Sequence, residues 1–228
     1  RRARDVTAVN QAIILAAGRG HQVDGLAKVL IRHPATGKSI LQHAVEAVEG
    51  KRVIVVVGFR AIQVMESATH LSYVLNQDWE LTSNAMSLGL ALEEEPTYVV
   101  SGDIFFDRSL IRHLDTLGPD LVLTEARENR ALSAIHCVLR DDQTIAETYQ
   151  GPVRSMAHPE AIGLFKISDA DLLRRWKRAC IGHGNLFVGQ TLPCDRAPVL
   201  AAPRGDFEFT EINTHADYLR LLERHRRG

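Results

Sequence analysis

Two glycines and a lysine are the residues whose types and spacing first suggest chemistry. In Leu15-Ala16-Ala17-Gly18-Arg19-Gly20, continuing past Gly25 to Lys28, an apolar run opens into small residues. Glycines there let the backbone approach a ligand and aim successive N–H groups at phosphate oxygens, and Lys28 can return as a point charge. Spacing excludes two familiar phosphate motifs. A dinucleotide fingerprint needs glycine where Val23 stands, and Gly37-Lys38-Ser39 lacks the earlier glycine of a P-loop because Arg32 holds that position. A flexible turn without a ligand is the alternative for this segment.

The elements that must carry this loop follow from periodicity. Ala12 to Ala17 is a short, continuously apolar run, as expected of a strand covered on both faces. Arg52 to Val57, Thr97 to Val100 and Leu121 to Thr124 repeat the pattern. Helical patterns lie between or after them at Ile40 to Val48, Ala61 to Ala68, Ala85 to Glu94 and Leu110 to Leu117. Strand and helix alternating in this way predict right-handed crossovers and an α/β fold, a doubly wound, mostly parallel, Rossmann-like sheet with helices on both faces. Ligands of such sheets bind beyond the carboxyl ends of the strands.

From about residue 132 the pattern loosens. Ile135 to Leu139, Ala161 to Lys166 and Val199 to Ala202 read as further strands, some antiparallel, with helices at Ala170 to Ala179 and Asp217 to Arg224 and a frayed basic tail at Arg226 and Arg227. With no linker or repeat, residues 1–228 are expected to form one domain, with a first half over about 10–130 and an irregular second half over about 131–228.

Composition narrows the class. The 228 residues carry 27 basic and 28 acidic side chains, a formal charge of −1, so no overall field exists to hold a nucleic-acid backbone. Cys137, Cys180 and Cys194 are odd in number and far apart, which points to reduced thiols and a cytoplasmic setting rather than disulfides. No apolar run approaches the roughly 18 residues of a membrane span, and the basic start Arg1 to Arg4 lacks a following apolar segment. The expected partners are small molecules, with neither nucleic acid nor membrane; self-association into a homo-oligomer stays open. No histidine spacing suggests a zinc ligand set.

The segment L-A-A-G-x-G followed by a lysine resembles the opening signature of the nucleotidyltransferase superfamily. Three further stretches agree in order. Ser101-Gly102-Asp103 resembles that family's strand-end metal aspartate, and Glu211-Ile212-Asn213-Thr214-His215-Ala216-Asp217-Tyr218 resembles its late E-I-[DN]-T/S-x-x-D-Y motif. Asn76 to Trp79 with Asn84 to Leu88 looks most like the phosphocholine and phosphonate cytidylyltransferase branch. The sequence departs from the family's pattern at Gln22, where an arginine is usual, and at Ala27, where a proline is usual; at Asn213 the phosphocholine branch carries Asp, whereas the molybdenum-cofactor branch resembles this chain in having Asn.

The resemblance implies transfer of a nucleotidyl group, CMP from CTP above others, to a small phosphorylated or phosphonylated metabolite, with Mg²⁺ as the cofactor and pyrophosphate released. Asp103 would hold Mg²⁺, with Asn213 or Glu211 completing the site directly or through water, while Lys28 and Arg19 would stabilise the triphosphate. Leu15, Ala16, Ala17, Gly18, Arg19, Gly20 and Asn84 would bind the nucleotide; Asn84 could equally cap a helix. Arg127, Arg130, Arg154 and Glu211 are candidates for the acceptor, Trp79 for stacking on a cationic acceptor group, and each arginine has a solvated surface as its alternative. Asp107 reads as a helix N-cap rather than a metal carboxylate. His136 and Cys137 read as core, and His158 to Glu160 and His183 as loop. Two rival functions remain: a sugar-1-phosphate or molybdenum-cofactor nucleotidyltransferase using another base, and a nucleotide-binding regulatory module without turnover.

Overall fold

The computed structural model describes residues 8–20, 23, 25–128 and 130–226. Chain order runs β1 (Gln11–Ala16), a 3₁₀ turn (Lys28–Leu30), α1 (Ile40–Ala47), β2 (Arg52–Val57), α2 (Ala61–Ser67), β3 (Ser72–Leu75), α3 (Asn84–Ala91) and β4 (Thr97–Ser101). Next come β5 (Ile104–Phe106), α4 (Arg108–Thr116), β6 (Leu121–Glu125), β7 (Ile135–Leu139), β8 (Ile145–Gln150) and β9 (Glu160–Ile167). The described chain closes with α5 (Ala170–Gly182), α6 (Val188–Thr191), β10 (Leu200–Pro203), β11 (Phe209–Glu211) and α7 (His215–Arg226).

The central sheet has the order β10-β6-β9-β4-β1-β2-β3. β1 lies parallel to both β2 and β4, β2 to β3 and β6 to β10, whereas β9 runs antiparallel between β4 and β6. β7 meets the start of β9 through His136 and Glu160 and pairs with β8 as a hairpin. A mostly parallel sheet, as expected, thus carries one reversed internal strand.

Alternation of side chains builds two cores. Ala12, Ile14 and Ala16 of β1, with Val53, Val55 and Val57 of β2, face a layer that contains α1, α2, α4 and Leu221 of α7. Ile13, Leu15, Ile54 and Val56 face the other layer, where α3, α5 and α6 contribute Leu88, Trp176 and Val188. Both faces of β1 and β2 are therefore covered, which is why these strands read as unbroken apolar runs. Local chemistry starts the helices. Ser39 and Gln42 form a capping box at α1, and Asp169 accepts a hydrogen bond from Leu172 N–H at α5.

Several boundaries differ from the sequence reading. The helix expected to reach Glu94 ends at Ala91, and α7 begins at His215 and takes in Arg226; Arg227, like Gln22, lies outside the described residues. β3, β5, β8, β11 and α6 were not anticipated. The three cysteines are buried and unpaired. Among the described residues no helix is long and apolar enough to cross a membrane.

Candidate active site

Beyond the end of β1 the glycine segment closes on itself. Gly20 N–H donates to Leu26 O at 3.1 Å, and Gly25 N–H and Val23 N–H donate to Gly20 O at 2.9 and 3.0 Å. The glycines have different reasons to be there. A Cβ on Gly20 would sit 2.5 Å from Val23 Cγ2 and 2.8 Å from Leu26 O, so the loop needs this glycine to fold, whereas a Cβ on Gly18 would meet nothing within 4 Å. Gly18 leaves space above the strand end, and it is exposed there together with Arg19. The Arg19 guanidinium lies against Gly25 and 5.5 Å from the centre of the Phe59 ring, so it is folded across the loop.

Three residues that lie far apart in the chain meet at this strand end. Lys28 Nζ donates to Asn213 Oδ1 at 2.8 Å and to Asp103 Oδ2 at 3.2 Å. Each position has a local cause. Gly102 N–H donates to Leu15 O at 3.0 Å, and a Cβ on Gly102 would stand 2.4 Å from that oxygen, so only glycine lets the chain leave β4 this close to β1. Asp103 follows immediately. β5 then pairs antiparallel with β11, which sets Glu211 opposite Ile104, and Ile212 N–H donates to Asp103 O at 2.8 Å. Asp217 Oδ2 accepts from Asn213 N–H (2.9 Å), Thr214 N–H (2.6 Å) and the Thr214 hydroxyl (2.9 Å), and this holds the turn that aims Asn213 inward.

Electrostatics follow from this crowding. Burial pushes the Asp103 pKa up, the Lys28 ammonium works against that, and the neighbouring Glu211 adds to it; the net shift is upward. At Asp217 burial acts upward too, but the hydrogen bonds from Thr214 and Asn213 outweigh it and hold the carboxyl below its ordinary value. The donor set suits a hard divalent ion: a carboxylate and an amide oxygen already converge on one positive group, Lys28 Nζ, with Glu211 near and no nitrogen or sulfur donor among them.

Three clefts that share Asn84 open around this centre, and a fourth, of about 830 Å³, borders Asn213 together with Arg127, Glu211 and Asp217. One of about 540 Å³ lies at the glycine loop and is lined by Ala17, Gly18, Arg19, Trp79, Asn84 and Ser87. A small one of about 160 Å³ joins Gly18 and Arg19 to Lys28, Ser101 and Asp103. The third, of about 270 Å³, lies on the far side of Lys28 and Asp103 and is walled by Glu160, Glu211, Asn213 and Phe187. Asn84 borders all three. Its Oδ1 accepts from Val188 N–H at 2.8 Å, tying α3 to α6, and Ser83 rather than Asn84 is the N-cap of α3. Asn84 therefore does not cap its helix.

Other expected positions fall elsewhere. Trp79 packs on Phe59 with ring centres 5.2 Å apart, at the glycine-loop cleft and away from Glu211, so it does not border the cleft in which a cationic acceptor group would be sought. Arg127 is engaged by carboxylates: Nε donates to Glu125 at 2.5 Å, and its Nη1 lies 3.2 Å from Glu211 and 3.7 Å from Glu160. Arg130 turns toward Arg127 O, His136 Nδ1 and His158 O, and Arg154 stacks on Tyr149 with its guanidinium 4.0 Å from the ring centre. Neither lines the three clefts. Asp107 is the N-cap residue of α4 by position, yet its side chain makes no capping bond. His136 and Cys137 are fully buried, as read.

Glu160 was missed. Expected in a loop, it opens β9, is 8% exposed and keeps Oε2 without a hydrogen-bond donor beside the third cleft. Burial, chiefly, raises its pKa against the pull of Arg127. Glu125 and Arg204, paired at 2.7 Å, complete this charged wall. A carboxylate at the start of an alternating strand carries no spacing signal, so only the fold could disclose it.

A parallel sheet whose first and fourth strands deliver a glycine loop, a lysine and a carboxylate to one cleft is the arrangement of a nucleotidyltransferase. The chain belongs to the MobA-like NTP transferase domain family, whose model matches residues 12–179. Its fold is similar to that of the CTP:phosphocholine cytidylyltransferase LicC of Streptococcus pneumoniae, with a TM-score of 0.75 at 20% identity over 94% of this chain and 98% of that one. It is similar also to the inositol-1-phosphate CTP transferase of T. maritima (TM-score 0.70, 18% identity, 97% and 98% covered). A UDP-glucose pyrophosphorylase solved with UDP-glucose gives a TM-score of 0.76 at 17% identity, with 96% and 99% covered. No curated protein matches the chain by sequence.

Proposed function

We propose that this chain transfers CMP from CTP to a small phosphorylated or phosphonylated metabolite and releases pyrophosphate, with Mg²⁺ as its divalent ion. The convergence of Lys28, Asp103 and Asn213 within 3.2 Å beside the glycine loop carries the reading. The cytidylyl preference draws on the CTP-using solved structures among those of similar fold and on the motif resemblance; the family itself leaves the base open.

In this reading the base and ribose occupy the cleft at Leu15 to Gly18 and Asn84, and the first half of the chain serves the nucleotide. Gly18 and Gly20 leave room for the triphosphate, and Arg19 and Lys28 face its charge. The acceptor enters from the Glu160 and Glu211 side, built by the second half, where the carboxylates around Arg127 favour a hydroxylated or cationic group; Arg130 is left out of that pocket. An ionised acceptor oxygen attacks the α-phosphorus, the new O–P bond forms as the bond to the β-phosphate oxygen breaks, and the electron pair leaves with pyrophosphate. The nucleophile is already an anion, so no general base is needed. Lys28 holds the departing charge in place, and alignment with charge neutralisation supplies the rate. Asp103 and Asn213, with Glu211 close by, would hold Mg²⁺, which supplies charge neutralisation at the α-phosphate.

The test is pyrophosphate release with each of four nucleoside triphosphates against phosphocholine, simple phosphonates and sugar phosphates. CTP with a phosphate or phosphonate acceptor is expected to give turnover, abolished in Asp103→Ala. Turnover with UTP or GTP alone overturns the cytidylyl assignment, and nucleotide binding without acceptor-dependent pyrophosphate overturns the enzyme reading.

A further inference from the structure

Outside the nucleotide clefts, the fold assembles a group that sequence spacing did not suggest. His33, Glu208 and His225 each bring one potential ligand atom to within 4.8 Å of the others. They come from three elements: His33 from the turn after the Lys28–Leu30 helix, Glu208 from the residue before β11, and His225 from the last turn of α7. We propose that these three residues form a structural site for a borderline first-row transition cation, Zn²⁺ being the representative, separate from the catalytic ion.

The chemistry selects the cation class. Two imidazoles and one carboxylate are the donors of zinc-like ions, whereas Mg²⁺ prefers oxygen alone. Tetrahedral coordination at about 2.0–2.1 Å requires donors roughly 3.3 Å apart, so no pair in the group must draw in by more than about 1.5 Å. His33 is 8% exposed and held against Phe105 at 5.2 Å and His43 at 5.3 Å between ring centres, while Glu208 and His225 are exposed and have space to adjust toward it; the His225 ring already lies 4.6 Å from that of His33. His43 packs beside His33 but lies outside the group of three, with its Nε2 bonded to the Thr36 hydroxyl at 2.8 Å. Ligation through His33 Nδ1 releases only the long 3.3 Å bond from Ala35 N–H. Water completes the shell.

The position gives the site its purpose. Glu208 and His225 bracket the segment that carries Glu211, Asn213 and Asp217, and His33 follows Lys28 by five residues. One ion would clasp the lysine turn to both flanks of the segment whose Asn213 bonds that lysine at 2.8 Å. The need is visible in α7, where only Leu221 is buried among twelve residues.

Zn²⁺ titrated into the full chain against a chromophoric chelator, with 5 mM Mg²⁺ present, tests this. One equivalent is expected to bind in wild type and in Asp103→Ala, raising the unfolding midpoint by on the order of 5 °C at about a hundredfold excess over Kd. The affinity is expected to fall at least tenfold, and the midpoint shift at the same Zn²⁺ concentration by about half or more, in His225→Ala and Glu208→Ala, whose side chains are exposed. No binding by wild type, binding unchanged in His225→Ala, or binding lost in Asp103→Ala overturns the proposal.

Discussion

Gly18 and Gly20 look interchangeable in the sequence and are not. A methyl group at Gly20 collides with Leu26 O, whereas at Gly18 it points into open space. Gly20→Ala is expected to lower stability by roughly 1–3 kcal/mol in urea unfolding, the usual range for overpacking. Gly18→Ala should unfold like wild type yet lose nucleotide affinity, because the methyl takes up ligand space; equal affinity would deny the loop its role. Lys28→Met should reduce kcat for pyrophosphate release by about 10²–10³, the range seen when one positioned charge-stabilising donor is removed. It also leaves Asp103 without its cation, so stability should fall as well.

At the level of elements the site depends on a pairing of two three-residue strands and on one turn. Asp217 accepts three hydrogen bonds at Oδ2 and one from Arg220 at Oδ1, and is 18% exposed at its side chain. Asp217→Asn is expected to cost roughly 1–2 kcal/mol at neutral pH and to reduce turnover about tenfold or more through a displaced Asn213. The sign with pH follows from its lowered pKa: the contribution is complete above the unfolded value near 4 and fades as pH falls through the folded value. Wild type and variant should therefore converge in urea midpoint as pH is lowered from 5 toward 3; a constant gap would place the stabilisation elsewhere. These elements also mark where sequence reading stops. Arg52 to Val57 announced itself as a strand because both faces are buried, and Lys28 and Asp103 followed from the loop and the family resemblance. Phe209–Glu211 and Ile104–Phe106 are too short to show a period and exist through each other, so the 185-residue reach from Lys28 to Asn213 could be guessed only by resemblance. Arg127 was legible as a cation but not as one surrounded by carboxylates, since Glu125 lies two residues before it but Glu160 and Glu211 come from two distant places in the chain.

Across the whole molecule, two apolar layers cover one sheet, and the cysteines lie within the layer that holds α3 and α5. Burial pushes the thiols of Cys137, Cys180 and Cys194 up to about 12. The native protein should thus be inert to a thiol reagent at pH 8 and expose three reactive groups only after denaturation; rapid native labelling would show that this layer opens. β9 has a different consequence. It seals the seam between β4 and β6, yet it is made some sixty residues after β4. A ribosome that has delivered β4 and β6 but not β9 holds out two unsatisfied edges at the middle of the future sheet. Premature termination before Glu160 would release a sticky half-built fragment rather than a shortened enzyme, and chaperone demand should peak in that interval of synthesis.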